Sequence, residues 1–375
     1  MSAPEASEEQ QLYFPLATHN TEWRPQEARV ALNVALDAKI VPSGDSLRLD
    51  FSRLVVLDNF FGETERAGLL RLLFQPSPRG NTPHEGHEPD TVAAQEHAPD
   101  PPECSWERRT SDQAGLPESW GLKDWAMESV EQSCSDAVLE VQSRLCKLYP
   151  EFEIARQPPI LAGERMAGNH EAEAFGLCSI EEEEGAKQDG ASELREHTDM
   201  GRPRQGKEDI VVKCGAFVAN AAVYGDVFRW HVDADPTSLA PSPWTERYGY
   251  YFNRERGKPL FVSLLLYLNK EWALDNDAET LFLDNDTATG VFVRPKAYRA
   301  VLMDQDVVHR LSTPSMTARR PRYSLVWKLV FVPKSADERM RTLARPEWGS
   351  GVFFGSAAHA DEALEQERKK KQRTQ

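Results

Sequence analysis

From residue 211 onward the apolar residues of this 375-residue chain arrive in short runs broken by turn formers, and that rhythm limits the fold more than any other feature. The runs at 215–224, 260–268, 280–283, 291–293, 300–303, 307–311 and 323–332 are rich in Val, Leu, Phe and Tyr. They are short for helices, so they predict strands. The stretches between them at 284–290, 294–299 and 312–321 carry the Asp, Asn, Gly, Pro and Ser of turns. Many short strands at this spacing predict an α+β chain with a mainly β core. The expected architecture is a double-stranded β-helix (jelly roll) with flanking helices and an interior able to hold a small ligand. No internal repeat is visible.

The first half of the chain reads differently. Residues 1–50 are polar and weakly patterned, an N-terminal extension outside the ordered domain. A strand is expected at 54–59. A helix follows at 63–74 with Leu69, Leu70, Leu72 and Leu73 inward, stopped by Pro76 because proline offers no helical donor. Seven prolines among polar residues mark 76–103 as a mobile insertion. The span 116–149 predicts one long helix, since Cys134, Val138, Val141, Leu145 and Leu148 recur on one face. A second mobile insertion is expected at 170–209, where twelve acidic residues face five basic ones. The domain is thus bounded at 51–335, with 336–375 a C-terminal tail. The Arg-Lys-Lys-Lys at 368–371 reads as a solvated helix end or a nuclear address.

Five cysteines form no C-x-x-C pair, and no cleavable apolar leader follows Met1, which predicts reduced thiols in the cytoplasm or nucleus. No apolar run approaches the roughly 20 residues of a membrane helix. The net charge of −16 argues against wholesale affinity for phosphate backbones. Residues 210–335 nevertheless hold 16 Lys and Arg against 13 Asp and Glu, leaving −19 for the remainder. Overall acidity therefore does not exclude an anionic substrate.

Within this mildly basic half lie His231, Asp233 and His309. Residues i and i+2 of an extended strand point the same way, so His231 and Asp233 can reach one ion. Two imidazoles and one carboxylate on one face of a metal leave open positions for a co-substrate and dioxygen, as in non-haem iron(II) oxygenases. An H-x-D also arises by chance, and a lone histidine is commonly a satisfied core residue. The chain carries its own control: His197-Thr198-Asp199 lies in the acidic insertion without a flanking strand and is assigned to solvent. His84, His87 and His97 lie in the proline-rich stretch and are given no role.

Arg322 opens the last strand 13 residues after His309, with Ser324 on the same face. A guanidinium inside an apolar barrel needs an anion and matches a carboxylate bidentately. Ser324 and Tyr267 can add hydrogen bonds to that anion. Arg319 and Arg320 precede the strand and read as solvent-facing.

The chain from Asn220 to Pro333 resembles the catalytic core of the iron(II)/2-oxoglutarate-dependent dioxygenases, in their prolyl hydroxylase-like branch. The matching stretches are Tyr224-Gly225, His231-Val232-Asp233, Leu266-Tyr267-Leu268-Asn269-Lys270-Glu271-Trp272, Glu279-Thr280-Leu281-Phe282-Leu283, His309-Arg310 and Arg322-Tyr323-Ser324-Leu325-Val326-Trp327. The resemblance implies that His231, Asp233 and His309 hold iron(II). It implies that Arg322, Tyr267 and Ser324 take the distal carboxylate of 2-oxoglutarate, and that Tyr224 approaches its metal-bound end. It implies a hydroxylase that consumes dioxygen and 2-oxoglutarate and releases succinate and carbon dioxide, with ascorbate as an auxiliary reductant. Two departures stand out: Asp277-Ala278 replaces the usual Gly-Gly, and the His309-to-Arg322 spacing is longer than usual.

Substrate is less legible. Residues 244–258 interleave Trp244, Tyr248, Tyr250, Tyr251 and Phe252 with Arg247, Arg254, Arg256 and Lys258. Such a segment suits a peptide, an unstacked base, or simply a lid packing its own aromatics. A protein or peptide side chain is the favoured substrate. Oxidation of a nucleobase or small metabolite is the alternative, and a non-catalytic binding module the third reading, although no iron ligand is missing. The sequence leaves the oligomeric state open.

Overall fold

A computed structural model of the chain describes residues 12–36, 52–76, 91–109, 117–158, 161, 163–165, 211–213, 217–255, 257–335, 343–349 and 351–359, with positions 366, 369, 372 and 373. The acidic stretch 170–209, His84, His87 and His197-Thr198-Asp199 lie outside the described residues.

The strands are β1 (Arg29–Ala35), β2 (Leu54–Asp58), β3 (Trp106–Arg109), β4 (Ser119–Leu122), β5 (Phe152–Arg156), β6 (Gly163–Arg165), β7 (Val211–Lys213) and β8 (Phe217–Ala222). They continue with β9 (Leu260–Tyr267), β10 (Thr280–Asp284), β11 (Thr289–Val293), β12 (Ala300–Asp304), β13 (Val308–Leu311), β14 (Arg322–Pro333) and β15 (Val352–Phe353). The helices are α1 (Glu63–Leu73), α2 (Thr91–Glu96), α3 (Asp124–Glu131), α4 (Asp136–Leu148) and α5 (Pro243–Tyr248). The architecture is mixed α/β and mostly sheet.

The large sheet has eight strands, in the order β15-β1-β2-β12-β9-β14-β5, with β8 also on β14. The long β14 is its spine. One edge pairs with β9 over Ser324–Phe331; the other takes β8 along Arg322–Trp327 and β5 along Leu329–Pro333. The small sheet runs β11-β10-β13.

Period-two alternation sorts each central strand between two layers. Val262, Leu264 and Leu266 of β9, with Leu325, Trp327, Leu329 and Phe331 of β14, join one core. That core also takes Leu69, Leu70 and Leu73 of α1 and Val138, Val141, Leu145 and Leu148 of α4. On the other face, Leu265 and Tyr267 meet Val301 and Met303 of β12 and Phe282 and Val293 of the small sheet. The helices therefore back one face of the large sheet while the small sheet covers the other, and the space between the sheets receives the polar side chains. A Cβ at Gly68 would lie 2.5 Å from the Ala137 Cβ, so the close crossing of α1 and α4 needs glycine there.

Several expectations are corrected. The N-terminal extension is not all outside the domain: β1 pairs antiparallel with β2, and Val34 and Leu36 are buried between the sheets. The alternation of Val30, Leu32 and Val34 supplies the physical reason, a short half-buried strand within a polar segment. The C-terminal tail also returns, since Leu343 is buried and β15 pairs parallel with β1. Part of the proline-rich stretch is fixed because Glu96 of α2 is buried and its Oε2 accepts from Arg66 at 2.8 Å.

The single helix at 116–149 is instead β4, α3 and α4. Ser135 N–H donates to Ser133 Oγ at 3.1 Å, a local bond that competes with the helical one, and Ser135 is extended at φ −64°, ψ 152°. Cys134 is consequently exposed, while the four other residues of the expected face are buried.

Candidate metal centre

His309 comes from β13, where it stands opposite Phe282 of β10. Asp233 and His231 come from the loop after β8 rather than from a regular strand. His231 forms an isolated bridge with His309, the two residues exchanging backbone hydrogen bonds of 3.0 and 2.9 Å. Two bonds therefore give the extended geometry that a full strand was expected to supply. Gln305 then anchors the backbone of Asp233. Its carbonyl accepts from the N–H groups of Asp233 and Ala234, and its side chain donates to Val262 and Leu329 on two strands of the large sheet.

The three side chains offer one ligand atom each, all within 4.8 Å of one another. His231 Nε2 lies 4.0 Å from Asp233 Oδ1, and His309 Nε2 lies 3.9 Å from Oδ2. Each imidazole is oriented from behind: Nδ1 of His231 donates to the Arg229 carbonyl at 3.0 Å, and Nδ1 of His309 to the Val307 carbonyl at 2.9 Å. With the proton on Nδ1, each Nε2 presents its lone pair to the common point, as a metal-ligating histidine must. Phe282 stacks on His309 with ring centroids 6.1 Å apart. The His231 side chain is 34% exposed while the other two are buried, so the centre opens on the His231 side.

Electrostatics favour a cation here. Burial alone would push the Asp233 carboxyl up, but Lys328, His309, His231 and the Ser263 hydroxyl outweigh it and hold it below the ordinary carboxylate range. Burial first, then His231, pull His309 down to about 4, so its imidazole is neutral at neutral pH and free to ligate. Two imidazoles and one carboxylate form a donor set that fits a divalent transition metal.

The second part of the site is cationic. Arg322 is buried, and its guanidinium donates to Ser324 Oγ at 2.6 Å and to Thr280 Oγ1 at 3.1 Å. It lies 4.8 Å over the Tyr267 ring, and its Nε has no hydrogen-bond partner. Burial pulls this guanidinium down from its ordinary range, while Tyr267 and Glu279 oppose. No carboxylate pairs with it among the described residues. The Tyr267 hydroxyl is pushed up by burial and meets Thr280 Oγ1 at 2.8 Å. Arg322, Tyr267 and Ser324 are thus gathered, and Thr280, which the sequence reading did not single out, holds them together.

Tyr224 is placed otherwise. It stands exposed just past β8 and takes no part in the hydrogen bonding of the cluster. The aromatic-basic segment also divides. Trp244 and Tyr251 are buried against Phe261, Arg254 pairs with Asp304, and Tyr250 and Phe252 are exposed. Arg319 is exposed, and Arg320 donates to the Glu271 carbonyl and to His97 at the surface.

Two residues beside Asp233 were missed. Ser263 Oγ donates to its Oδ2 at 2.5 Å, and Lys328 Nζ lies 3.4 Å from Oδ1. The available signal was a serine and a lysine interrupting the two most apolar runs of the chain.

No protein-family model matches the chain, and no curated protein matches it. Among solved structures, it is similar to a prolyl-4-hydroxylase of Pseudomonas putida at 21% identity, over 32% of this chain and 50% of that one, with a TM-score of 0.20. It is also similar to a prolyl 4-hydroxylase of Phytophthora capsici at 22% identity, over 40% of each chain, with a TM-score of 0.22. The matched region spans half or less of those chains, and likeness at this level leaves any functional reading to rest on the geometry of the site.

Proposed function

We propose that this protein is an iron(II)- and 2-oxoglutarate-dependent oxygenase, built on a double-stranded β-helix, that hydroxylates a C–H bond of a protein or peptide side chain. The observation that carries the reading is the placement of a buried, carboxylate-free guanidinium relative to a two-histidine, one-carboxylate cluster. Thr280 and Phe282 are two residues apart on β10; the first bonds Arg322 and the second stacks on His309. The residues that touch the anchor and the metal ligand are thus about one strand repeat, roughly 7 Å, apart along β10. In the proposed complex a five-carbon diacid would bridge the two groups.

His231, Asp233 and His309 would hold the iron, which when bound supplies the coupling of dioxygen reduction to oxidative decarboxylation of 2-oxoglutarate. Arg322 would receive the distal carboxylate on its fork, with Ser324 and Tyr267 completing the hydrogen bonds. Tyr267, Phe282, Val293 and Met303 exclude water from that end, and Gln305 keeps Asp233 aimed. The opening beside His231 is where a substrate side chain would enter. Tyr224 and Val227, exposed on the segment that leads to His231, offer apolar surface, which supports a peptide over a phosphate backbone. Among the described residues Cys104, Cys134 and Cys146 form no disulfide, which supports a cytoplasmic or nuclear location.

The test is anaerobic addition of iron(II) and 2-oxoglutarate, expected to give a visible metal-to-ligand charge-transfer band that Asp233→Ala abolishes. Succinate release in air, with ascorbate present, is then followed over peptide, metabolite and oligonucleotide pools. Stimulation by oligonucleotides with steep salt dependence would replace the peptide reading with the nucleobase one.

A further inference from the structure

The inference that follows rests on the metal reading above and concerns Lys328. Strand β14 sends Tyr323, Leu325, Trp327, Leu329 and Phe331 into the helix-backed core. Its alternate positions, including Arg322, Ser324 and Lys328, therefore face the other way, toward the space between the sheets. Lys328 stands directly opposite Ser263 of β9 in the antiparallel ladder. Both side chains reach Asp233. Ser263 Oγ donates to Oδ2 at 2.5 Å, and Lys328 Nζ lies 3.4 Å from Oδ1. The Lys328 side chain is 4% exposed and that of Asp233 6%, so the pair is shielded from water.

We propose that Lys328 is a built-in counter-ion to Asp233 that a divalent metal must displace, so that loading the site is a charge exchange and Lys328 sets how tightly the ion is held. The Lys328 ammonium, a few ångströms from the incoming ion in a medium of low polarity, repels it. Asp233 Oδ1 lies 3.4 Å from Lys328 Nζ and 4.0 Å from His231 Nε2, so the ammonium and an ion held at His231 would compete for the same oxygen. The four-carbon stem of Lys328 lets the ammonium swing aside.

The experiment titrates Mn(II) alone into the chelator-treated full chain at neutral pH, reading free Mn(II) by electron paramagnetic resonance. The proteins are the wild type, Lys328→Met, Lys328→Arg and Asp233→Ala, each checked by thermal melting. Lys328→Met is expected to bind Mn(II) tighter by roughly tenfold or more and to release it more slowly to a chelator. Lys328→Arg, which keeps the charge, stays near wild type. If Lys328→Met melts early, Lys328→Gln carries the same expectation. Equal or weaker binding by a folded, uncharged variant would overturn the counter-ion role while leaving the metal site standing. Absence of any Mn(II) binding that Asp233→Ala removes would overturn the metal reading itself, and this proposal with it.

Discussion

Arg322 Nη2 donates to Thr280 Oγ1 at 3.1 Å, and that one hydroxyl, also shared with Tyr267 at 2.8 Å, ties the buried cation of the large sheet to the small sheet that carries His309. Arg322→Lys replaces a fork with a point charge. It is expected to raise the KM for 2-oxoglutarate by roughly tenfold or more with a smaller change in kcat, measured as succinate release. Arg319→Lys and Arg320→Lys should leave KM near wild type. An equal effect at Arg320 would place the anchor elsewhere.

Thr280→Val keeps the shape and removes the shared hydroxyl. Leaving a buried donor unsatisfied costs about 1–3 kcal/mol, so the melting temperature should fall and the affinity for 2-oxoglutarate should drop with it. Unchanged affinity in that variant would show that Arg322 is positioned without the small sheet.

The paired tyrosines at 250 and 251 should part company. Tyr251 is buried beside Phe261 and Trp244, so Tyr251→Ala should cost about 3–5 kcal/mol of stability, the range for a large aromatic cut to alanine in a core. Tyr250 is 57% exposed. Tyr250→Ala should therefore spare the melting temperature and uncoupled 2-oxoglutarate turnover, and lower only substrate-stimulated turnover. Chemical denaturation of the two variants beside their kinetics would expose any failure of this split.

Asp277 has φ 53° and ψ −134°, a backbone that suits glycine, and Ala278 follows at φ 64°. The Trp272 indole donates to the Asp277 carbonyl at 2.8 Å, a backbone contact that glycine would keep. Asp277→Gly should raise stability by about 1 kcal/mol or more, read as an upward shift in melting temperature with kinetics unchanged. A fall would mean that the aspartate side chain, not its backbone, is what this turn needs.

What the sequence disclosed follows the range over which each feature is encoded. His231, Asp233, His309 and Arg322 were legible because each sits in a short local pattern, and Leu69, Leu70 and Leu73 because a helix repeats within a few residues. Lys328 and Ser263 gain meaning only when β9 and β14 are set in register, which no local window shows. Thr280 lies within the Glu279–Leu283 stretch, yet its hydrogen bonds depend on two sheets meeting. The break before α4 hinged on one serine–backbone bond that competes with the helix. Strand β1 escapes notice because its apolar run is short and set in a long polar segment, and its ordering comes from β2 on one side and β15 on the other.

That last pairing reaches beyond the edge of the sheet. Ser356 donates through both its N–H and its hydroxyl to Asp284 Oδ2 at 2.7 Å, at the far end of the strand that carries Thr280 and Phe282. The polypeptide after residue 343 thus clasps both sheets, touching β1 of one and β10 of the other. A chain shortened before Leu343 would lay bare the outer backbone of β1 at Val34 and Ala35, the kind of open border through which one molecule recruits the next. Self-association, rather than loss of chemistry, is the first defect such a shortened chain would display.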